Sequence, residues 1–213
     1  MILAAALWFG LQATSAPVPG QCTAPAAAHV GEPGCYLSAE FDLAAPAGTV
    51  YWHVYTFPSV ASAKKASATL PQAVVTEAHG KVWLHVIGAK DITIENGTHS
   101  STMGPLIAPT TGRARILESW FPPGMITRAH SHPGSEVFYV VEGEQCVETP
   151  EGGKLIPAGK HYVVEHGPHL QAAPQGRRSL VLLLLPKDIP WMTLEQEWKP
   201  AGFCSLSGQH GTS

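Results

Sequence analysis

The C-terminal half of the chain contains short hydrophobic segments at close spacing, and each segment is followed by proline or glycine. This pattern is typical of antiparallel β-sandwiches and β-barrels. Residues 180–185 are continuously apolar, which favours a strand buried on both faces, although so short a run is also compatible with a helix. Strands are predicted at residues 114–120, 125–129, 136–142, 144–148, 162–165 and 179–185.

The N-terminal half has a different pattern. It predicts a strand, a helix and two further strands, at residues 50–57, 59–69, 73–76 and 81–87. Ser59 is placed to cap the helix, and Pro71 prevents the helix from continuing. These elements form either a small α+β subdomain or additional strands of the barrel that follows.

The chain has 213 residues, 21 glycines, 19 prolines and a formal net charge of −3. This length fits one domain with an N-terminal elaboration. No long run of lysine or arginine is present, so we expect no nucleic-acid partner. The predicted organisation is a signal-like segment, a Pro/Ala/Gly-rich arm, an α+β elaboration, a barrel and a tail, at residues 1–16, 17–48, 49–104, 105–190 and 191–213.

The first eleven residues are apolar and are followed by small residues at 13–16. The apolar stretch is shorter than the ~20 residues that span a bilayer. It is similar to the hydrophobic and cleavage regions of a secretory signal, although no lysine or arginine precedes it. We therefore expect an exported protein, periplasmic or extracellular, with no membrane association after processing. The alternative is a buried N-terminal helix or strand.

The four cysteines contain no Cys-x-x-Cys pair, which disfavours a zinc ribbon or a thioredoxin-like site. Their even number agrees with one or two disulfides in an exported protein. Three complete pairings are open. Cys22 and Cys35 are a plausible pair because both lie in the Pro/Gly-rich arm, whereas Cys146 lies in a strand pattern and could also be a plain buried residue.

The segment around residue 130 has the chemistry of a metal site. His130 and His132 are two positions apart, so in an extended segment their side chains point to the same side. Glu136 follows the Pro133–Gly134 bend and can return to that side. Two imidazoles and a carboxylate that converge on one point make a mononuclear metal site.

The same segment resembles the first motif of the cupin superfamily. It matches the pattern Gly-x5-His-x-His-x3-Glu-x6-Gly at every fixed position: Gly124, His130, His132, Glu136 and Gly143. The resemblance implies a mainly β fold, a cupin-type antiparallel β-barrel of jelly-roll type over residues 105–190, with a metal inside its open mouth.

The second cupin motif is matched in part, by Gly159, Gly167 and His169. Glu165 stands where the motif has proline, and only Pro168 lies between Gly167 and His169. The resemblance implies that His169 is the fourth metal ligand. His161, His166 or a water molecule are the alternatives for that position.

Such a ligand set suits one divalent transition metal ion: Fe, Mn, Ni, Cu or Zn. Cupins with sites of this kind include dioxygenases, isomerases, decarboxylases, lyases and binding proteins, so the fold does not determine the reaction. A metal-dependent enzyme acting on a small organic molecule, for example a dioxygenase, is one hypothesis. A small-molecule-binding cupin without turnover is the second, and a structural or storage role is the third.

Several residues near the motif are candidates for contact with a ligand. Arg128 lies two positions before His130 and either binds an anionic substrate or pairs with a carboxylate on the rim. Phe138 should face inward with Glu136; some cupin lyases acting on sulfonio-propionate substrates have a catalytic tyrosine there, so phenylalanine argues against that route. Glu148 is a better acid–base candidate than Gln145.

The remaining expectations concern surfaces. The sequence at residues 177–178 (Arg-Arg) indicates a solvated turn. The aromatic residues of the 191–204 tail are spaced to pack against the barrel or a second subunit. Because cupins often pair through sheet edges, a homodimer is the default expectation.

Overall fold

The computed structural model describes residues 18–43 and 48–206. The predicted signal-like segment at residues 1–16 lies outside these ranges. No helix among the described residues is long and apolar enough to cross a membrane.

The described residues form mainly β-structure. A 3-10 turn at Ala26–Ala28 precedes the first strand. The strands are β1 (Gly34–Asp42), β2 (Gly48–Phe57), β3 (Ala73–Ala78), β4 (Lys81–Gly88), β5 (Thr98–Ala108), β6 (Gly112–Phe121), β7 (Met125–Ile126), β8 (His130–Ser131), β9 (Ser135–Thr149), β10 (Gly152–Pro157), β11 (His161–Val164), β12 (Leu170–Ala173), β13 (Arg177–Pro186) and β14 (Thr193–Leu194), and the helices are α1 (Val60–Ser67) and α2 (Phe203–Leu206).

The barrel is a curled antiparallel sheet of eight strands in the order β1-β6-β13-β9-β12-β7, with β10 and β11 also paired to β9. Strand β9 changes partners along its length: its first half pairs with β13 and β11, and its second half pairs with β10 and β12. Gly143 lies between these halves at φ +73°, where a Cβ atom would overlap the carbonyl oxygen of Gly176. The strands predicted at 136–142 and 144–148 are therefore the two halves of one strand.

Strand β13 separates two hydrophobic cores. Leu180, Leu182 and Leu184 pack outward against the N-terminal sheet, whereas Val181 and Leu183 face the barrel interior with Leu185. Alternate residues of a strand point to opposite faces. The prediction of a strand buried on both sides is confirmed.

The N-terminal elaboration is a four-stranded sheet in the order β3-β4-β2-β5. Trp52 and Trp83 on one face of this sheet share a core with the outer face of the barrel. Helix α1 packs on the other face through Ala63, and the side chain of Ser59 accepts a hydrogen bond from the Ser62 N–H group, as expected of an N-cap. The predicted fold class, a mainly β cupin-type barrel with an N-terminal α+β elaboration, is confirmed.

Six strands, β1, β5, β8, β10, β12 and β14, occur where the sequence analysis placed none, and β1 and β5 are the longest of them. Strand β1 lies within the Pro/Ala/Gly-rich arm of residues 17–48 and pairs with β6 along the barrel edge. Strand β5 crosses the boundary placed at residues 104–105 and pairs with β2. The glycines and prolines around both segments concealed them, because these residues are typical of turns and loops.

Both disulfides fasten terminal segments to the barrel. Cys22 is bonded to Cys35, which confirms the predicted pair, and Cys146 of β9 is bonded to Cys204 of α2. The tail is also paired with the barrel through β14 and β8. The sequence predicted that the tail packs against the barrel or against a second subunit, and in the structure the tail packs against the barrel.

Candidate metal centre

Backbone pairing brings His130 and His169 side by side. The His130 N–H group donates to the His169 carbonyl oxygen at 3.0 Å, and the His169 N–H group donates to the His130 carbonyl oxygen at 2.8 Å. Residues that exchange both hydrogen bonds lie directly opposite each other in an antiparallel ladder. The two imidazole rings are consequently only 4.3 Å apart between centroids.

The side chains of His130, His132, Glu136 and His169 converge on one point inside the barrel. Their candidate ligand atoms all lie within 4.8 Å of one another. The four residues are 7, 8, 4 and 0% exposed, respectively. Glu136 is held near the start of β9, opposite Leu183 of β13 and Val164 of β11. This places its carboxylate among the three rings.

Hydrogen bonds to backbone carbonyl groups orient two of the rings. The Nδ1 atom of His130 lies 2.7 Å from the carbonyl oxygen of Arg128, and that of His132 lies 2.7 Å from the carbonyl oxygen of Trp191. A carbonyl oxygen only accepts, so each Nδ1 carries the proton and each Nε2 presents a lone pair. Metal-binding histidines are oriented in this way.

The protonation states also suit a cation. Burial lowers the pKa of His130 to about 3, and burial likewise lowers the pKa of His132. Burial alone would raise the pKa of Glu136, but the neighbouring imidazoles, His169 foremost, lower it below its ordinary value. Near neutral pH His130 and His132 are therefore neutral and Glu136 is ionised, which are the ligand forms of these side chains.

A buried amide network fixes the carboxylate of Glu136. The Nε2 atom of Gln171 donates to Glu136 Oε1 at 2.8 Å, while Gln171 Oε1 accepts from Gln145 Nε2 at 2.9 Å and from Arg177 Nη2 at 3.3 Å. Because Gln145 and Arg177 both donate to the amide oxygen of Gln171, the NH2 group of that amide must face Glu136. Oε1 is thus occupied, and Oε2 is the oxygen turned toward the histidines.

Three buried atoms at the centre lack a hydrogen-bond partner among the described residues: Glu136 Oε2 and both ring nitrogens of His169. Glu136 Oε2 and His169 Nε2 lie 2.8 Å apart, within ion-pair distance, and His132 Nε2 is 3.7 Å from the same oxygen. Buried polar atoms are almost always satisfied. A metal ion would satisfy Glu136 Oε2 and His169 Nε2, and three nitrogens with one oxygen suit a divalent transition metal. The residues present therefore fit a metal ion.

The centre opens into a cavity of about 330 Å3. His130, His132 and Glu136 form part of its lining, and apolar side chains that include Leu117, Val181 and Leu183 form another part. The N-terminal segment around Cys22 and the tail residues Trp191 and Met192 also line the cavity. A small organic molecule would have room beside the ligand atoms.

The two predicted ligand-contact residues, Arg128 and Phe138, lie in different environments in the structure. Arg128 is exposed and lines the cavity mouth. Phe138 is fully buried in the interior core beside Tyr162, and it is not among the cavity-lining residues. Phe121 is the phenylalanine that lines the cavity. His161 and His166, the alternatives to His169, are both exposed and outside the cluster.

Two sequence interpretations were wrong. Arg177, which was assigned to a solvated turn, is 3% exposed and lines the cavity. Glu148, the preferred acid–base candidate, instead accepts hydrogen bonds from the N–H groups of Gly202 and Cys204 at 2.8 and 3.1 Å and anchors the tail. Gln145, which was disfavoured, belongs to the buried network at the metal centre.

Sequence reasoning missed two contributors to the centre. Gln171 lies two positions after His169, and period-two alternation could have placed it on the same side of the strand. Trp191 acts through its backbone carbonyl group, which no side-chain pattern indicates.

No family model matches this chain, and no curated protein matches it. Solved cupin structures align with part of it. One is a cupin-2 domain protein from Shewanella frigidimarina NCIMB 400, with 21% identity, 33% of this chain and 69% of that chain covered, and a TM-score of 0.31. Another is the DMSP lyase DddQ from Ruegeria pomeroyi DSS-3, with 20% identity and a TM-score of 0.36. The match covers 40% of this chain and 45% of the lyase.

A third is the salicylate 1,2-dioxygenase from Pseudoaminobacter salicylatoxidans, described as adducts with gentisate, with 23% identity and a TM-score of 0.31. The match covers 32% of this chain and 19% of the dioxygenase. The chain thus spans less than half the length of both enzymes, and the likeness is local. The barrel has a cupin-type fold, and the motif of residues 124–143 is similar to the first cupin motif. Neither enzyme's activity follows from that.

Proposed function

We propose that this protein is a metal-dependent enzyme that acts on a small organic molecule, with dioxygenase chemistry as the first class to test. The observation that carries the proposal is that four buried ligand atoms converge and that three of the residues bearing them, His130, His132 and Glu136, line a cavity of about 330 Å3. A structural metal site is usually closed, whereas a catalytic site leaves room for a ligand beside the metal.

His130, His132, Glu136 and His169 would hold one divalent ion: Fe, Mn, Ni, Cu or Zn. Such an ion, when bound, supplies a position for a substrate oxygen or dioxygen, or polarises an oxygen as a Lewis acid. The protein's own part is to keep His130 and His132 neutral and oriented, to fix Glu136 through Gln171, and to exclude bulk water with the apolar wall.

The lining favours redox or Lewis-acid chemistry over general acid–base chemistry. Besides the metal-ligand candidates, the titratable side chains among the described lining residues are Arg128 and Arg177. Arginine remains protonated over the ordinary pH range and is a poor proton acceptor. Oxygen insertion at a redox metal does not require a protein base. Arg128, at the mouth, is suited to hold an anionic group of the substrate.

A small-molecule-binding cupin without turnover is the second candidate. The same shortage of acid–base groups favours it, because a binding site requires only shape and charge. The two disulfides support an exported protein, periplasmic or extracellular, since such bonds persist in oxidising compartments. A homodimer remains a prediction.

The proposal is tested by reconstituting the purified protein separately with Fe(II), Mn(II), Ni(II), Cu(II) and Zn(II). Oxygen uptake is then measured with a panel of small aromatic and aliphatic compounds, and products are identified by mass spectrometry. We expect uptake with a redox-active metal, none with Zn(II), and none after His132→Ala. Stoichiometric binding of a compound without turnover under any metal would instead support the binding protein.

A further inference from the structure

Arg177 is a cation buried in the cavity wall without a carboxylate in direct contact. Its side chain is 3% exposed, and no carboxylate among the described residues lies within ion-pair distance of it. Arg178, its neighbour in sequence, differs on both points: it is partly exposed and lies 3.5 Å from Glu142. Burial lowers the pKa of Arg177 to about 9, so the guanidinium is still charged near neutral pH.

The partners of Arg177 are neutral. Its Nη1 atom donates to the hydroxyl groups of Ser119 and Ser179, and Nη2 donates to the amide oxygen of Gln171 at 3.3 Å. The guanidinium also lies over the ring of Phe121, 3.9 Å from its centroid. Its Nε–H group has no acceptor among the described residues. These contacts position the group but do not neutralise its charge.

With a metal ion bound, the charge of the cavity is unbalanced toward positive. Glu136 is the carboxylate that interacts electrostatically with Arg177, and a divalent cation held by Glu136 would more than offset its negative charge. An uncompensated buried charge is strongly destabilising unless a counter-charge is present. Arg128 adds a further positive group at the mouth. An anionic ligand would restore the balance.

Gln171 sets the spacing between the two ends of the site. Its amide donates to Glu136 at one side and accepts from Arg177 at the other. A single side chain thus bridges the guanidinium and the metal centre. Leu117, Val181 and Leu183 line the same cavity and give it an apolar wall.

We propose that the cavity takes a small carboxylate with an apolar body, and that Arg177 pairs with its charged group. This inference rests on the proposed function and names the class of ligand for the same site. Arg177 is a ligand-binding residue here, and Gln171 positions it relative to the metal centre.

The test compares matched charged and neutral ligands on the protein as purified. Benzoate is paired with benzamide, and hexanoate with hexanamide, and binding is measured by calorimetry and ligand-observed NMR. We expect each carboxylate to bind at least tenfold more tightly than its amide. Equal affinities within both pairs would overturn the proposal, and this comparison requires no variant.

Substitutions then assign the preference to a residue. Arg177→Met should weaken carboxylate binding at least tenfold and leave amide binding unchanged. Arg178→Met is the matched control, because Arg178 also lies over an aromatic ring, that of Trp120, and it should leave both affinities unchanged. A preference that persists in Arg177→Met contradicts the assignment. If that variant does not fold, Arg177→Lys keeps the charge and should retain part of the preference.

The His130→Ala/His132→Ala double variant separates this inference from the proposed function. A carboxylate preference that persists in the double variant belongs to Arg177, whether or not the wild-type protein binds metal. A preference that is lost in the double variant and kept in Arg177→Met belongs to the metal centre, and it overturns the role of Arg177 while leaving the proposed function intact.

Discussion

The Nδ1 atom of His132 lies 2.7 Å from the backbone carbonyl oxygen of Trp191, 59 residues later in the chain. The two rings also stack, with centroids 5.5 Å apart. The C-terminal tail is therefore part of the metal centre, because it sets the tautomer and orientation of a candidate ligand. What holds the tail in place should affect how firmly the centre holds a metal.

The disulfide between Cys146 and Cys204 fastens that tail. Replacing both cysteines with alanine should lower the free energy of unfolding by ~2–4 kcal/mol, the usual contribution of a native disulfide. It should also speed metal release, because His132 loses a fixed hydrogen-bond acceptor. Stopped-flow chelation measures the release rate, and urea denaturation measures the stability.

The second disulfide provides the control. Cys22→Ala/Cys35→Ala removes a disulfide that lines the same cavity, and among the described residues no hydrogen bond joins these two cysteines to the metal-ligand candidates. This variant should lose stability but release metal at the wild-type rate. Equal release rates in all three proteins would show that the tail does not support the centre.

Gln171 is expected to control metal affinity through Glu136. Gln171→Leu removes the donor to Glu136 Oε1 and leaves a buried, ionised oxygen without a partner. Loss of such a supporting contact typically costs about 10- to 100-fold in metal affinity. Gln196→Leu, at an exposed tail position, is the matched control. Competition with a calibrated chelator would reveal the difference, and an unchanged affinity in Gln171→Leu would contradict this role.

The motif around residue 130 and the apolar run of residues 180–185 were readable from sequence because each follows a local rule. The i and i+2 spacing of His130 and His132 fixes a common side in an extended segment. A continuous apolar run requires burial on both faces when the segment is a strand. In both cases a few adjacent residues determine the result.

Arg177 and Glu148 could not be assigned correctly in this way. An arginine beside another arginine and a glycine has the pattern of an exposed turn, and its burial depends on Ser119 and Gln171, which are distant in sequence. Counting in twos from Glu136 would place Glu148 in the interior, but the register of β9 shifts before Gly143, so Val147 faces the interior core and Glu148 faces the tail. Such outcomes depend on packing between segments that no local pattern encodes.

The stability of the protein should fall as the pH is lowered below about 6.5, the ordinary pKa of histidine. Burial lowers the pKa of His85 to about 3 in the folded protein. The unfolded chain therefore binds a proton between these values that the folded protein does not, so stability is present above about 6.5 and is lost as the pH falls toward 3. One such group contributes a slope of up to ~1.4 kcal/mol per pH unit.

His85→Gln should reduce the slope of stability against pH, because glutamine does not titrate in this range. Glutamine can still form a hydrogen bond with Thr76, whose hydroxyl oxygen lies 2.8 Å from His85 Nε2. His166→Gln, at an exposed position, is the matched control. Urea denaturation at pH 5.0, 6.0 and 7.5 gives the slopes. Identical slopes in the two variants would mean that His85 does not carry the effect.

Arg128 should affect anionic ligands less than Arg177 does. It is exposed at the cavity mouth, where water and salt screen its charge. Exposed charge pairs contribute ~0.2–1 kcal/mol, so Arg128→Met should weaken carboxylate binding by up to ~5-fold at low salt and less at high salt. Calorimetry at two ionic strengths measures this. A loss that does not depend on salt would place Arg128 deeper in the binding site than the structure does.

The central claim is that His130, His132, Glu136 and His169 hold one metal ion. Elemental analysis of the purified protein tests it most directly, with His130→Ala/His132→Ala as the disrupting variant and His161→Ala/His166→Ala as the matched control. The account predicts close to one transition metal ion per chain in the wild type and the control, and its loss in the disrupting variant. Metal retained in the disrupting variant, or no metal in the wild type after reconstitution with each of the five ions, would contradict it.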